Sequence, residues 1–251
     1  MFQEVRALPY SVVVTDGGDF APAPADSHRV EVAQFLLEGM GAMHYDAIAV
    51  GEMDLAMGST YLHEAARRLP LVGANVRFGP ALSESLTAVR WVEVKGKRVA
   101  ITAVLDPVLY FESPGAIAKT DSLMVDDATI ALRQAMAQIG TQADVVVAII
   151  HAQHTRALEI IQSVSDLPRT PDVAVIGHDP TGPQAEEKVD RTFVLQPGPR
   201  SKEISLFTLT YADTGSVVRT SLQVYRLSSL PAGDPTLDAM TKAFQAKHGM
   251  Q

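Results

Sequence analysis

The sequence of 251 residues contains no cysteine. Disulfides, iron–sulfur clusters and thiolate zinc sites are therefore excluded, and any metal must be held by His, Asp, Glu or Asn. No run approaches the roughly 20 consecutive apolar residues that a bilayer requires. With 20% charged and 47% hydrophobic residues the composition is that of a soluble globular chain and not of a disordered one. Lysine and arginine nowhere cluster and the formal net charge is -8, which repels phosphate backbones and argues against a nucleic-acid partner. Gly-x-Gly-x-x-Gly, phosphate-loop and Gly-x-Ser-x-Gly patterns are missing, so dinucleotide binding and a serine nucleophile have no support. Met1 to Tyr10 has neither the charged nor the apolar region of a secretory signal, so no export address is expected in this chain. Repeats and low-complexity segments are also lacking. At about 100–200 residues per domain, the expectation is one domain over residues 1–251.

What is present is alternation. Short β-branched apolar runs occur at Ser11–Thr15, Ala47–Val50, Leu71–Asn75, Val99–Val104, Val145–Ile150 and Val173–Ile176, as strands buried on both faces require. Between them lie stretches of helical period: Val32, Leu36, Met40 and Met43 fall on one stripe, and Ala128, Leu132, Met136 and Ile139 on another. Strand and helix in turn predict an α/β fold. Ala88–Val94 and Arg98–Val104, around Lys95-Gly96-Lys97, read as an antiparallel pair. Beyond about residue 190 extended segments at Thr192–Gln196, Ile204–Tyr211 and Val217–Tyr225, with a turn at Asp213-Thr214-Gly215, predict a β-meander near the carboxyl end, followed by a short helix over Leu237–Lys247. His28, His44, His63 and His248 fall in helical or tail regions and read as surface or cap residues.

In parallel α/β sheets the chemistry collects just past the carboxyl ends of strands. The exits here carry Asp16-Gly17-Gly18-Asp19, Gly51-Glu52-Met53-Asp54, Ala74-Asn75, His151-Ala152-Gln153-His154 and Gly177-His178-Asp179-Pro180-Thr181. Singly, such residues are ordinary turn chemistry or hydrogen-bonded neighbours. As an ordered set they resemble the calcineurin-like metallophosphoesterases, in particular the amino-terminal catalytic domain of the 5'-nucleotidase family. Val12 to Phe20 is similar to that family's strand followed by Asp-Ala-Gly-Asp, Tyr45 to Asp54 to its Tyr-Asp strand leading into Gly-Asn-His-Glu, and Leu71 to Val76 to its Ser-Ala-Asn-Val strand. Val145–His151 resembles the strand ending in a metal-binding His, Gly177–Thr181 resembles Gly-His-Ser-His-Thr, and Val194 to Gly198 with Ile204 to Gly215 resembles the closing strands. The resemblance implies a four-layer α/β/β/α sandwich of metallophosphoesterase type.

Several positions depart from the family. The Asp-x-His strand that opens it is not found in this sequence. Glu52 stands at the Asn of Gly-Asn-His-Glu, Met53 at the catalytic His, and Pro180 at the second His of Gly-His-x-His. A thioether cannot donate the proton that a leaving group needs, and proline offers no ring nitrogen. The resemblance leaves Asp19, Glu52, His151 and His178 as candidate ligands of one divalent ion, by donor type zinc, manganese or iron. The plainer alternative is a hydrogen-bonded polar group without metal. Asp16, Asp54, Asn75, His154 and Asp179 are candidates for the surrounding shell. The functional expectation is a degenerate, catalytically impaired metallophosphoesterase-like protein acting as a binding or assembly subunit, with an exposed sheet edge near Val12–Thr15 open to a protein partner. The alternative is an active phosphoric monoester hydrolase using the residual one-metal site on a phosphate-containing small molecule. Family resemblance also leans towards a periplasmic or extracellular location.

Overall fold

The computed structural model describes residues 5–23, 26–79, 84–112, 122–178, 187–198, 202–212, 217–226 and 233–249. Strands β1 (Thr15–Asp16), β2 (Ala47–Ala49) and β3 (Leu71–Val72) pair in parallel in the order β1-β2-β3. A small antiparallel sheet joins β4 (Val76–Phe78), β5 (Glu84–Ser85) and β8 (Leu123–Val125). The principal sheet holds β6 (Val89–Val94), β7 (Lys97–Leu105), β9 (Val145–His151), β10 (Val173–Ile176), β11 (Glu187–Val189) and β12 (Thr192–Leu195), in the order β11-β12-β10-β9-β7-β6. In it β7, β9, β10 and β12 run parallel, and β6 and β11 close the two edges antiparallel.

The alternation of side chains decides the layering. Val99, Ile101 and Ala103 of β7 and Ile149 of β9 face Ala47, Ala49 and Val72 of the three-stranded sheet, forming a core between the two sheets. Their neighbours Ala100, Val104, Val146, Ala148 and Ile150 face the opposite way, onto helices α5 (Ala128–Ile139) and α6 (His154–Gln162). Ile48, Val50 and Leu71 likewise turn outward onto α1 (Arg29–Met43) and α3 (Ser59–Arg68). Helix, sheet, sheet and helix thus stack in four layers, as an α/β chain with strands buried on both faces must arrange them. Burial of a side chain such as Ile101 or Ile149 is worth about 1.5–3 kcal/mol, and both are fully buried.

Differences from the sequence expectation have local causes. Of the Ser11–Thr15 run only Thr15 lies in β1, and the Asp46 carboxylate takes the Val14 amide at 2.8 Å in place of a backbone carbonyl. On α1 the buried stripe is Ala33, Leu37 and Met40, while Val32 and Leu36 are half-buried. The helix has a second neighbour, α7 (Pro235–His248), whose Phe244 stacks on Phe35 at 4.5 Å. His28 and His44 are the N-cap and C-cap of α1. The pair β6–β7 turns tightly at Lys95-Gly96, both with positive φ (48° and 77°), the twist a two-residue hairpin needs. At the carboxyl end, β12 joins the principal sheet while β13 (Glu203–Tyr211) and β14 (Val217–Arg226) form a separate hairpin. Residues 213–215, where the turn was expected, lie outside the described residues. No helix of the described residues is long and apolar enough to cross a membrane.

Candidate metal centre

All four candidate ligands reach one point above the carboxyl edge of the two sheets. Asp19 follows β1, Glu52 opens the short helix α2 (Glu52–Leu55) after β2, His151 is the last residue of β9, and His178 follows β10. One donor atom from each lies within 4.8 Å of the others. A tetrahedron with ~2.05 Å bonds has an edge of about 3.3 Å, so a small contraction would bring all four to a common ion.

Backbone geometry forces the convergence. Gly18 (φ 96°) and Asp19 (φ 60°) are both left-handed, a conformation open to Gly and tolerated by Asp, and Asp16 Oδ1 accepts the Gly18 amide at 2.9 Å to hold the turn. A Cβ on Gly51 would lie 2.0 Å from Asp19 Oδ1, and one on Gly177 would lie 2.1 Å from the Gly17 carbonyl oxygen. Only glycine lets these loops close. Three of the four candidate ligands directly follow a glycine (Gly18-Asp19, Gly51-Glu52, Gly177-His178), a sequence signal that the list of strand exits passed over.

Asp54 ties the loops together from beneath. Fully buried, it accepts the amides of Asp19 (2.9 Å) and Gly51 (2.8 Å) on Oδ2 and that of Ala21 (2.7 Å) on Oδ1. Burial, and then the charge of Asp19, raise its pKa against the pull of those amides. Burial likewise raises Asp16. Asn75 stands apart from the cluster: its amide donates to the carbonyls of Leu105 (2.7 Å) and Asp126 (2.8 Å) and its oxygen accepts the Leu105 amide (3.0 Å), pinning the end of β7. His154 points away too, with Nδ1 at 2.9 Å from Gln196 Oε1 and Nε2 at 3.2 Å from Glu187. Asp179 and Pro180 lie outside the described residues.

Within the cluster the imidazoles face the carboxylates. His151 Nδ1 donates to the Gly17 carbonyl at 2.7 Å, which turns Nε2 towards Glu52 Oε2 (3.0 Å) and Asp19 Oδ2 (3.5 Å). A metal-ligating histidine is oriented in the same way, by donating its other ring N–H to a carbonyl. His178 Nδ1 is buried and makes no hydrogen bond, although Glu52 Oε1 lies 3.3 Å away. Burial opposes charge on His151, but hydrogen bonds to Asp19 and Glu52 outweigh it and push its pKa up to about 10. His178 is pushed up to about 9 by the same two carboxylates. Both carboxyls are held below their ordinary values: burial works the other way, and the imidazoles prevail. Two carboxylates, one imidazole nitrogen aimed by its neighbour and one orphaned imidazole nitrogen suit a borderline divalent ion. The four residues form a possible metal-binding group.

Met53 is at the rim, where its amide donates to Asp19 Oδ1 at 3.0 Å. Its side chain is half-buried.

No protein-family model and no curated protein sequence matches the chain. Solved structures do match. The 5'-nucleotidase precursor of Thermus thermophilus superposes with a TM-score of 0.78 at 18% identity, covering 99% of this chain and 52% of that one. The sulfate thiohydrolase of T. thermophilus, solved in complex with glycerol, gives 0.77 at 17% identity over 94% of this chain and 43% of that one. A calcineurin-like phosphoesterase from Bacillus subtilis gives 0.72 at 15% identity over 94% and 83%. The chain spans about half the length of the first two. At such identities the likeness is one of fold: this is the metallophosphoesterase fold, in the form of the 5'-nucleotidase amino-terminal domain.

Proposed function

We propose that this chain is a metallophosphoesterase-fold protein that holds one divalent ion on Asp19, Glu52, His151 and His178, has lost efficient phosphoester hydrolysis, and serves as a binding or assembly subunit. The observation that carries this reading is Met53, placed at the rim by its bond to Asp19 with a side chain that cannot donate a proton to a leaving group. When bound, the ion supplies Lewis-acid polarisation of a phosphoryl oxygen. The chain's own residues do the rest: the carboxylates and imidazoles orient the site, and Asp54 fixes the loops that carry Asp19 and Glu52. A positioned general acid contributes about a hundred- to ten-thousand-fold in rate, and no such group stands at residue 53. Partner binding is supported by β1, which among the described residues is an edge strand paired to β2 alone; an extended segment added there would continue the sheet.

Metal analysis of the purified chain, followed by assay of a generic phosphomonoester with added manganese or zinc, tests the reading. One ion per chain is expected, lost in His178→Ala, with turnover near background and raised about a hundredfold or more by Met53→His. Metal-dependent turnover in the unaltered protein, abolished by His178→Ala, would overturn it in favour of an active one-metal phosphomonoesterase.

A further inference from the structure

Helices α1 and α3 run side by side in the same direction. Gln34 Nε2 donates to Glu64 at 3.1 Å, and Arg68 meets both Gln34 (3.2 Å) and Glu38 (4.0 Å), so positions about thirty apart in sequence lie opposite one another. Both helices return from the carboxyl edge of the three-stranded sheet, so their N-termini open together on the edge that carries the metal centre. The N-caps are His28 and Gly58, and neither makes a side-chain cap bond; ahead of α1, Asp26 takes the His28 amide on its carboxylate (2.8 Å) and the Arg29 amide on its carbonyl (3.2 Å). Two positive dipole ends therefore lie together.

Two side chains deepen the surplus of donors. Nε and Nη2 of Arg29, the first residue of α1, are shielded from solvent and have no hydrogen-bond partner. These two nitrogens form the side-on edge of the guanidinium, the fork that grips an oxyanion with two parallel bonds. Elsewhere in the molecule Arg77 closes the same edge on Asp126, with Nε at 2.7 Å and Nη2 at 2.8 Å from its two oxygens. Arg29 presents that fork open. Tyr61, in the first turn of α3, is only 7% exposed and its hydroxyl is also without a partner. Helical side chains lean towards their own N-terminus; burial and then the charges of Asp54, Glu64, Arg68 and Arg29 act on this hydroxyl. Of the acids nearby, Glu64 meets Arg68, Asp54 accepts three amides and Asp26 the His28 amide, while Glu31 stands exposed in the first turn of α1. Burying a guanidinium edge without an acceptor is costly, and an oxyanion at this edge would relieve that cost.

We propose that Arg29 and Tyr61, at the paired N-termini of α1 and α3, form an oxyanion-binding subsite beside the metal centre that takes the phosphate group of a small molecule. Arg29 supplies two parallel donors, Tyr61 a third, and the helix amides the surrounding positive potential. The subsite needs no metal, so it stands or falls independently of the reading above.

The test is calorimetric titration of inorganic phosphate into the full chain with chelator present, paired with thermal denaturation. Saturable binding is expected, and affinity roughly ten- to a hundredfold lower in Arg29→Met, which removes hydrogen bonds to a charged group while filling the same space. Arg29→Lys should lose nearly as much because it lacks the fork, Tyr61→Phe less, and Arg77→Met nothing. Arg29→Met should also melt no lower than the parent without phosphate, because it buries no unpaired charge, and should not be stabilised when phosphate is added. A parent chain that does not bind phosphate saturably, or an Arg29→Met variant that binds it as the parent does, overturns the proposal. An Arg29→Met variant that melts lower yet keeps the full phosphate response assigns Arg29 a structural role and overturns it equally.

Discussion

Gly51 has no room for a side chain, since a methyl group there would enter the Asp19 carboxylate and crowd His151 Cε1 at 2.5 Å. Gly51→Ala is expected to cost about 1–3 kcal/mol, the usual range for overpacking, and to weaken metal binding because Asp19 is the group displaced. Urea denaturation and a metal titration on the same preparation check both; a variant with the parent's midpoint and affinity would contradict the packing described. At this scale the sequence was informative for residue type. Asp19, Glu52, His151 and His178 could be named because the ordered set of carboxylates and imidazoles at strand exits resembles a known family's ligand pattern. Asn75 and His154 look the same in sequence, but the fold turns them onto the Leu105 backbone and onto Gln196. Arg29 and Tyr61 carried no sequence signal, because an unsatisfied donor exists only once its surroundings have formed.

Among the elements, β7 depends on a side chain remote in sequence. Asn75 satisfies one amide and two carbonyls of Leu105 and Asp126, and each buried group left unpaired costs about 1–3 kcal/mol. Asn75→Ala is therefore expected to lose at least about 2 kcal/mol by chemical denaturation while keeping metal stoichiometry, since it touches none of the four ligands. Loss of metal at unchanged stability would reverse that assignment. Helix α7 is the opposite case, with no fully buried residue and its stacking contact at Phe244. Phe244→Ala should raise hydrogen exchange within residues 235–248 and leave exchange in β9 unchanged; equal effects on both would mean that α7 is integral to the core. The stripe Ala128, Leu132, Met136 and Ile139 is buried on α5, because that face meets the sheet. On α1 Met40 is buried as its period predicts, but Ala33 and Leu37 are buried in place of Val32 and Leu36, and α7 covers a second face that no local pattern announces.

For the whole molecule, the cluster couples stability to pH in two opposed ways. In metal-free protein His151 and His178 titrate near 10 and 9, against 6.5 for the free side chain. Their stabilising contribution is fully present below pH 6.5 and is lost as pH rises through 9 to 10. Asp19 and Glu52 have lowered values, so theirs is present above the ordinary values of 3.8 and 4.5 and is lost as pH falls below them. The melting temperature measured with chelator should therefore be highest between about pH 5 and 6.5 and fall towards pH 10. Metal affinity should run the other way above pH 6.5, because each imidazole must shed a proton to coordinate. A chelated protein whose melting temperature rises steadily from pH 7 to 10 would contradict the charge pairing.

Local pattern in the chain predicts alternating strands and helices and sets carboxylates and imidazoles at the strand exits, because period-two and helical patterns are local consequences of backbone geometry; the four layers and the choice of Asp19, Glu52, His151 and His178 came from the family resemblance. Which of those exits meet depends on how the sheets pack. The parallel register of β7, β9 and β10 and the close passage of Gly17 past Gly177 bring segments more than a hundred residues apart to within a few ångströms. Those contacts arise from two sheets packing face to face, and no stretch of the chain encodes them alone.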